Sequence, residues 1–269
     1  MKRSLAHFLS LTSAIFFAGC GGDSTTPGAD TSEELIADFT TDNGLNPADG
    51  RQGGFYVYGD PNGTFDPPKV GDDPYPIDPN NGNPDGSGPG SFHTKAFGFN
   101  QWGAAMGTDF APQDGDYKGT YDASKYRGVS FWAKAGAALT GVQVSFPDVY
   151  TDAKGNPNAL NPDIFPCAYI TGATNNCSPY LVKFGDASKF PNYADYQIDT
   201  EWRRFDIFFE DTQQDQYNPG FHTDADKVDV QHLTAMAIQV NADYSSGSAV
   251  ANDFELWIDD VAFVECRID

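Results

Sequence analysis

The sequence predicts an all-β protein, a two-sheet antiparallel β-sandwich of jelly-roll type. Ten short β-rich runs recur, at 35–40, 54–58, 92–99, 103–110, 128–135, 142–147, 181–184, 203–209, 233–241 and 254–264, separated by turn-rich spacers. No stretch holds a 3.6-residue apolar period for three turns, and 28 Gly and 18 Pro are too many for a helical protein. Ten strands without intervening helices leave nothing to make the crossovers of a parallel sheet, so two packed antiparallel layers follow. Single helical turns are expected only at 122–126 and 224–230.

Taken in order, the chain opens with Lys2 and Arg3 and then an apolar run over 5–18, too short to span a bilayer once its small polar residues are counted. The run ends F-A-G-C at Phe17 to Cys20, which resembles the bacterial lipobox, with Phe17 where Leu is usual. That resemblance implies a lipoprotein signal peptide over 1–19 and acylation of Cys20; an ordinary signal peptide is the alternative. Residues 20–34, rich in Gly, Ser, Thr and acids, read as a flexible tether, and 35–269 as one jelly-roll domain. Gly21 supplies no acidic retention signal after the cysteine, so the expected place is the bacterial cell envelope, at the outer membrane or periplasmic face.

Charge narrows the partners. A formal net charge of −22 repels nucleic acid and anionic lipid, which excludes DNA or RNA binding and leaves membrane contact to the lipid anchor alone. With Cys20 acylated, Cys167 and Cys177 are the natural disulfide pair in an oxidising compartment, and Cys266 is left over. Zinc is disfavoured, since no C-x-x-C spacing or nearby His pair exists.

Two insertions interrupt the strands. Residues 60–91 are dominated by Pro, Gly, Asn and Asp, and the segment D-P-N-N-G-N-P-D-G within them lacks the order and the closing Glu of an EF-hand. Residues 150–179 carry the expected disulfide.

Three strands share one pattern. Val129, Phe131 and Ala133 alternate with Ser130, Trp132 and Lys134; Val142, Val144 and Phe146 with Gln143 and Ser145; Ile238 and Val240 with Gln239 and Asn241. Amides hydrogen-bond hydroxyl pairs and an aromatic face stacks on a pyranose, so Trp132, Lys134, Gln143, Ser145, Gln239 and Asn241 are expected to line a sugar-binding groove if their strands share a sheet. An ordinary solvated sheet face is the plainer alternative. His93 joins the set as a groove polar group, and Tyr56 and Tyr58 stand in reserve with it should Trp132 prove to be core.

The last strand, 253–264, reads D-F-E-L-W-I-D-D-V-A-F-V. Simple alternation puts Leu256, Ile258, Asp260 and Ala262 on one face and Glu255, Trp257, Asp259 and Val261 on the other. The Asp259-Asp260 step either holds a metal or a cluster of backbone amides, or faces water at a bend.

Together L-I-A-D-F-T, His93-Thr94, Y-R-G-V-S-F-W-A-K, V-Q-V-S-F-P-D, T-E-W before R-F-D-I-F-F, and the closing L-W-I-D-D-V-A-F resemble the galactose-binding-like jelly rolls, the family 11 carbohydrate-binding modules and related bacterial lipoproteins most of all. The resemblance implies a non-catalytic sandwich that binds a polysaccharide or oligosaccharide in a concave groove. It also implies a structural calcium, carried over to Asp38, Asp259 and Asp260, although Thr40 stands where the family's first strand has Glu.

Other function classes find less support. A glycosidase needs two placed carboxylates; the six Glu form no sandwich-glycosidase motif, and Glu255 and Asp259 would lie about 13 Å apart along one strand. No G-x-S-x-G elbow is present. A polysaccharide lyase or glycoside hydrolase on the same sandwich is the enzymatic alternative, and a surface adhesin or envelope scaffold the structural one.

Overall fold

The computed structural model describes residues 33–40, 54–69, 76–86, 88–113, 115–155, 167, 177–214 and 227–265. Cys20, Cys266 and the expected signal peptide lie outside the described residues. Among the described residues thirteen strands follow in chain order: β1 (Glu33–Ala37), β2 (Phe55–Gly59), β3 (Thr64–Asp66), β4 (Ile77–Asp78), β5 (Ser91–Phe97), β6 (Ala104–Asp109), β7 (Tyr126–Ala135), β8 (Val142–Phe146), β9 (Tyr180–Lys183), β10 (Arg203–Phe208), β11 (Gln213–Gln214), β12 (Ala235–Val240) and β13 (Phe254–Glu265).

They form two antiparallel sheets. The seven-stranded sheet runs β10-β7-β13-β5-β3, with β1 also on β13 and β4 on β5; the six-stranded sheet runs β11-β9-β8-β12-β6-β2. All ten expected strands are present. The three others, β3, β4 and β11, are only two or three residues long, too short to leave a periodic signal. Two of them come from the Pro/Gly-rich insertion and cover the edge of β5. The expected helical turn at 122–126 is a plain turn leading into β7; of the second, expected at 224–230, residues 224–226 lie outside the described residues, 227–229 form no helix, and a 3-10 turn follows at Val230–His232. β1 begins at Glu33, inside the segment read as tether, because Glu33 and Glu34 pair with Val264 and Phe263.

Alternation fills the interior. Val129, Phe131 and Ala133 of β7 and Phe205 and Ile207 of β10 meet Val142, Val144 and Phe146 of β8 and Met236, Ile238 and Val240 of β12 in one continuous core. Each fully buried Val, Ile or Phe contributes roughly 1.5–3 kcal/mol, so the register of every strand is held by which face is apolar.

β13 departs from simple alternation. Its register slips between Asp259, opposite Trp132, and Ala262, opposite Ser130, and Asp260 takes φ 42°. Such a bulge adds one residue to a strand, and Asp tolerates the left-handed conformation it requires. The expected face assignment is therefore corrected beyond Ile258: Val261 and Phe263, not Asp260 and Ala262, continue the core face. The bulge also marks where β13 exchanges β5 for β1 as its neighbour.

Candidate functional site

The residues expected to form one groove divide between the two sheets. Gln143, Ser145, Gln239 and Asn241 share the outer face of the six-stranded sheet, whereas Trp132, Lys134 and His93 lie on the seven-stranded sheet, facing away from it. The single-surface expectation is corrected accordingly.

On the six-stranded sheet, pairing aligns two rows across the strands. One runs Tyr58, Ala105, Gln239, Gln143, Lys183; the next runs Tyr56, Gly107, Ala237, Ser145, Leu181. Small residues on β6 and β12 make a low floor between taller side chains on either side. At Gly107 a methyl group would meet the Met236 carbonyl oxygen at 2.6 Å, so the floor there admits no side chain. The result is a trough along β6.

Aromatic rings form one side of it. Tyr56 and Tyr58 lie 5.8 Å apart between ring centroids, and Tyr58 and Trp102 lie 6.0 Å apart. Tyr58 and Trp102 are exposed, at 36% and 38%. About a third of each ring faces water, and that surface is available for stacking.

Amides form the other side. Gln239 Nε2 donates to the Trp102 carbonyl at 3.3 Å and to Asn241 Oδ1 at 2.6 Å, while Asn241 Nδ2 donates to Gln143 Oε1 at 3.1 Å and to the Gly141 carbonyl at 2.8 Å. This chain orients the amides and leaves Gln239 Oε1, Gln143 Nε2 and Ser145 Oγ without a protein partner among the described residues. An acceptor, a donor and a hydroxyl therefore line the trough opposite the rings.

At the Asp109 end the trough is walled. Lys118 Nζ lies 2.9 Å from Asp109 Oδ1 and 3.1 Å from Asp152 Oδ2. Burial alone would lower the pKa of Lys118, but Asp152 and Asp109 outweigh it and raise it, which keeps the ammonium charged. The Tyr56 hydroxyl donates to Asp109 Oδ1 at 2.8 Å; burial first, and then Asp109, push this phenol well above its ordinary value, so it stays a donor. Asp148 shapes the Asp152 loop by accepting from the Tyr150 and Thr151 amides and the Thr151 hydroxyl. The Cys167–Cys177 disulfide, with Cα atoms 5.3 Å apart, pairs as expected, and Cys177 and Pro179 flank the wall.

A buried carboxylate positions the opposite end. Asp60, 3% exposed, follows β2 and accepts from the amides of Asn62 (3.1 Å), Gln101 (2.8 Å) and Gly103 (3.2 Å). Its burial would raise its pKa, and these amides outweigh that and lower it. The loop bearing Trp102 is thereby tied to the strand bearing Tyr58, and the Tyr244 hydroxyl adds a bond to the Gln101 carbonyl.

The outer face of the seven-stranded sheet is packed differently. His93 stacks on Trp257 with centroids 4.4 Å apart and planes 6° apart, and Lys134 Nζ lies 5.0 Å from the Trp257 ring and 5.1 Å from the Trp202 ring. His93 Nε2 bonds Glu255 Oε1 at 3.0 Å, and Lys134 donates to Asn81 Oδ1 at 2.7 Å. His93 and Lys134 are held by these partners, the buried Trp257 Nε1 has no hydrogen-bond partner among the described residues, and Trp132 lies half-buried beside them, opposite Arg204 and Asp259.

The three acids expected to hold calcium are not one cluster. Asp259 is fully buried and accepts from the Asn83 amide N–H at 2.8 Å and from Asn83 Nδ2 at 3.1 Å; Asp260 Oδ2 accepts from the same Nδ2 at 2.8 Å. Burial, together with the neighbouring Asp260 charge, pushes the Asp259 carboxyl up to about 7 against the opposing pull of these hydrogen bonds. Asn83 Nδ2 thus bridges the two carboxylates. Asp38 instead accepts from the Thr40 amide and hydroxyl of its own turn. Among the described residues no group of three or more His, Cys, Asp or Glu converges.

Trp102, Asp109, Lys118 and Asp152 had no place in the expected groove. The alternation F-Y-V-Y-G and the small residues of A-A-M-G-T-D were the available signals, pointing to rings beside a low floor. Lys118 and Asp152 sit in loops, where no period marks them.

No family model matches the chain, and no curated protein matches it. Among solved structures it is similar to the family 11 carbohydrate-binding module from Clostridium thermocellum in complex with a β-1,3-1,4-mixed-linked tetrasaccharide, at 11% identity and TM-score 0.47, over 90% of this chain and 100% of that one. It is also similar to the family 11 module of the cellulosomal cellulase Lic26A-Cel5E of the same organism, at 12% identity and TM-score 0.45, over 88% of this chain and 96% of that one. A family 30 carbohydrate-binding module of the cellulase Cel9D-Cel44B, again from Clostridium thermocellum, matches at 14% identity and TM-score 0.38, over 73% and 85%.

Proposed function

We propose that this protein is a non-catalytic glycan-binding protein that lays a polysaccharide or oligosaccharide along the outer face of its six-stranded sheet, and that a lipid on Cys20 holds it at the bacterial cell envelope. One observation carries the binding reading. The ladder Tyr56, Tyr58 and Trp102 stands across a small-residue floor from polar atoms on Gln239, Gln143 and Ser145 that have no protein partner among the described residues. Rings supply stacking for the C–H face of a sugar and the amides and hydroxyl take its hydroxyl groups.

Lys118 supports the absence of catalysis. Its ammonium fills the gap between Asp109 and Asp152, where a scissile glycosidic oxygen would have to lie between an acid and its partner carboxylate. A glycan array with the wild type, Tyr58→Ala and Trp102→Ala tests the reading. Both variants should lose signal on every glycan the wild type retains, with little change in folding because neither ring belongs to the core. Equal signal from all three proteins would remove this face from consideration.

A further inference from the structure

The trough has two unlike ends. At one end Trp102 is exposed and Tyr244, beside it, is 58% exposed. At the other, two loops are zipped together: the Lys118 amide donates to the Lys154 carbonyl at 3.0 Å, Lys118 Nζ joins Asp109 to Asp152, and the Thr234 hydroxyl donates to Asp152 Oδ2 at 2.8 Å. In the trough, against this zip, lies a cavity of about 400 Å³ lined by Tyr56, Tyr58, Lys118, Asp152, Pro179 and Ala237.

Direction follows from the ladder. Tyr58 and Tyr56 are successive outward residues of β2, opposite Ala105 and Gly107, and Trp102 precedes β6 while Asp109 ends it. The rings thus run along β6, and from Trp102 to Asp109 the strand rise covers roughly 20 Å. A sugar chain stacked along them meets the zipped loops end-on.

We propose that the wall of Lys118, Asp109 and Asp152 is the subsite for the terminal residue of a neutral glycan, so that the protein captures chain ends and not internal segments. This rests on the glycan-binding reading of the same face. An ammonium has three N–H donors, and Lys118 uses two on the carboxylates; Asp109 Oδ2 has no protein partner among the described residues. A donor beside an acceptor matches two neighbouring hydroxyl groups of one sugar. The wall has two carboxylates and one ammonium, so a uronate placed there would add a third carboxylate to a half-buried site, and like charges in such a place repel strongly.

Chain ends are separable from chain mass. Mixed-linked β-glucan, xyloglucan, galactomannan, agarose and, as the acidic case, polygalacturonate would be titrated calorimetrically before and after partial endo-hydrolysis. Binding sites per gram of the neutral glycan bound should rise in proportion to the chain ends created, and Asp109→Asn and Lys118→Arg should weaken binding of the resulting oligosaccharides at least tenfold. Each variant is checked by thermal melting, and the paired substitutions keep one result readable if the other perturbs folding. Sites per gram that stay constant through digestion, or both folded variants binding as the wild type does, would overturn the end-binding proposal while leaving the groove in place. Binding of polygalacturonate alone would overturn it as well. If no glycan binds, or if Trp102→Ala binds as the wild type does, the groove reading itself fails and this proposal with it.

Discussion

Tyr58 and Trp102 face each other with ring centroids 6.0 Å apart and planes tilted 43°, one on the edge strand of the six-stranded sheet and the other on the loop leading into β6. Neither ring is needed to fill the core. What holds them together is Asp60, whose carboxylate at the end of β2 accepts from the Gln101 and Gly103 amides of that loop and from the Asn62 amide of its own turn.

The two tryptophans on opposite faces make the first prediction. Trp102→Ala should weaken glycan binding by on the order of 1–3 kcal/mol, as loss of an aromatic anchor does, with little change in melting temperature. Trp132→Ala, on the other sheet, should leave affinity per folded molecule intact. Titration of both variants with one retained glycan decides; the reverse result would move the groove to the seven-stranded sheet.

Asp60 predicts a pH dependence. Its pKa is lowered in the fold, so its stabilisation is present in full above the unfolded value of about 3.9 and is lost as pH falls through the lower folded value. Asp60→Asn should therefore destabilise at pH 7 by on the order of 1–3 kcal/mol, and the gap to wild type should narrow below about pH 4. Denaturant unfolding at both pH values measures this. A gap that does not change with pH would contradict it.

Removing the Cys167–Cys177 bridge should lower stability by about 2–4 kcal/mol. Because Cys177 and Pro179 flank the wall, the paired Ser variant should also bind glycan more weakly than the oxidised wild type at a temperature where both are folded. Unfolding and titration with and without reductant test both parts; unchanged affinity would detach the disulfide from the site.

A calcium ion drawn to Asp259 and Asp260 would bind only the folded chain and stabilise it by mass action. Excess chelator should then lower the melting temperature of the wild type but not of Asp260→Asn, and Asp38→Asn should respond as the wild type does, since Asp38 caps its own turn. Unchanged melting, with no metal in the purified protein, would leave the pair as hydrogen-bond acceptors for Asn83 and the Asp260 amide.

Anchoring is tested by Cys20→Ser, which should move the protein from the membrane fraction to the soluble one. A variant that still sediments with membranes rules out acylation at Cys20.

The amino-acid sequence alone determined the architecture. Period-two alternation is a local property, so ten strands, and their apolar faces up to the bulge in β13, could be read one at a time, as Ile238 and Val240 show against Gln239. Cys167 and Cys177 were close enough in the chain for their pairing to be read as well. Gln143, Ser145, Gln239 and Asn241 were legible as outward polar residues for the same reason.

Tertiary structure decided which outward faces coincide. Alternation says which way a side chain points from its own strand and nothing about which sheet that strand joins, because pairing depends on contacts between residues distant in sequence. β8 and β12 lie side by side, while β7 and β5 flank β13 in the other layer, so Trp132, Lys134 and His93 were carried away from the amides they were expected to join. The bulge at Asp259-Asp260 likewise depends on β13 changing neighbours from β5 to β1, which no local period records. Lys118 and Asp152 became one wall only when the loops after β6 and β8 closed on each other, bringing an ammonium between two carboxylates that the sequence kept apart.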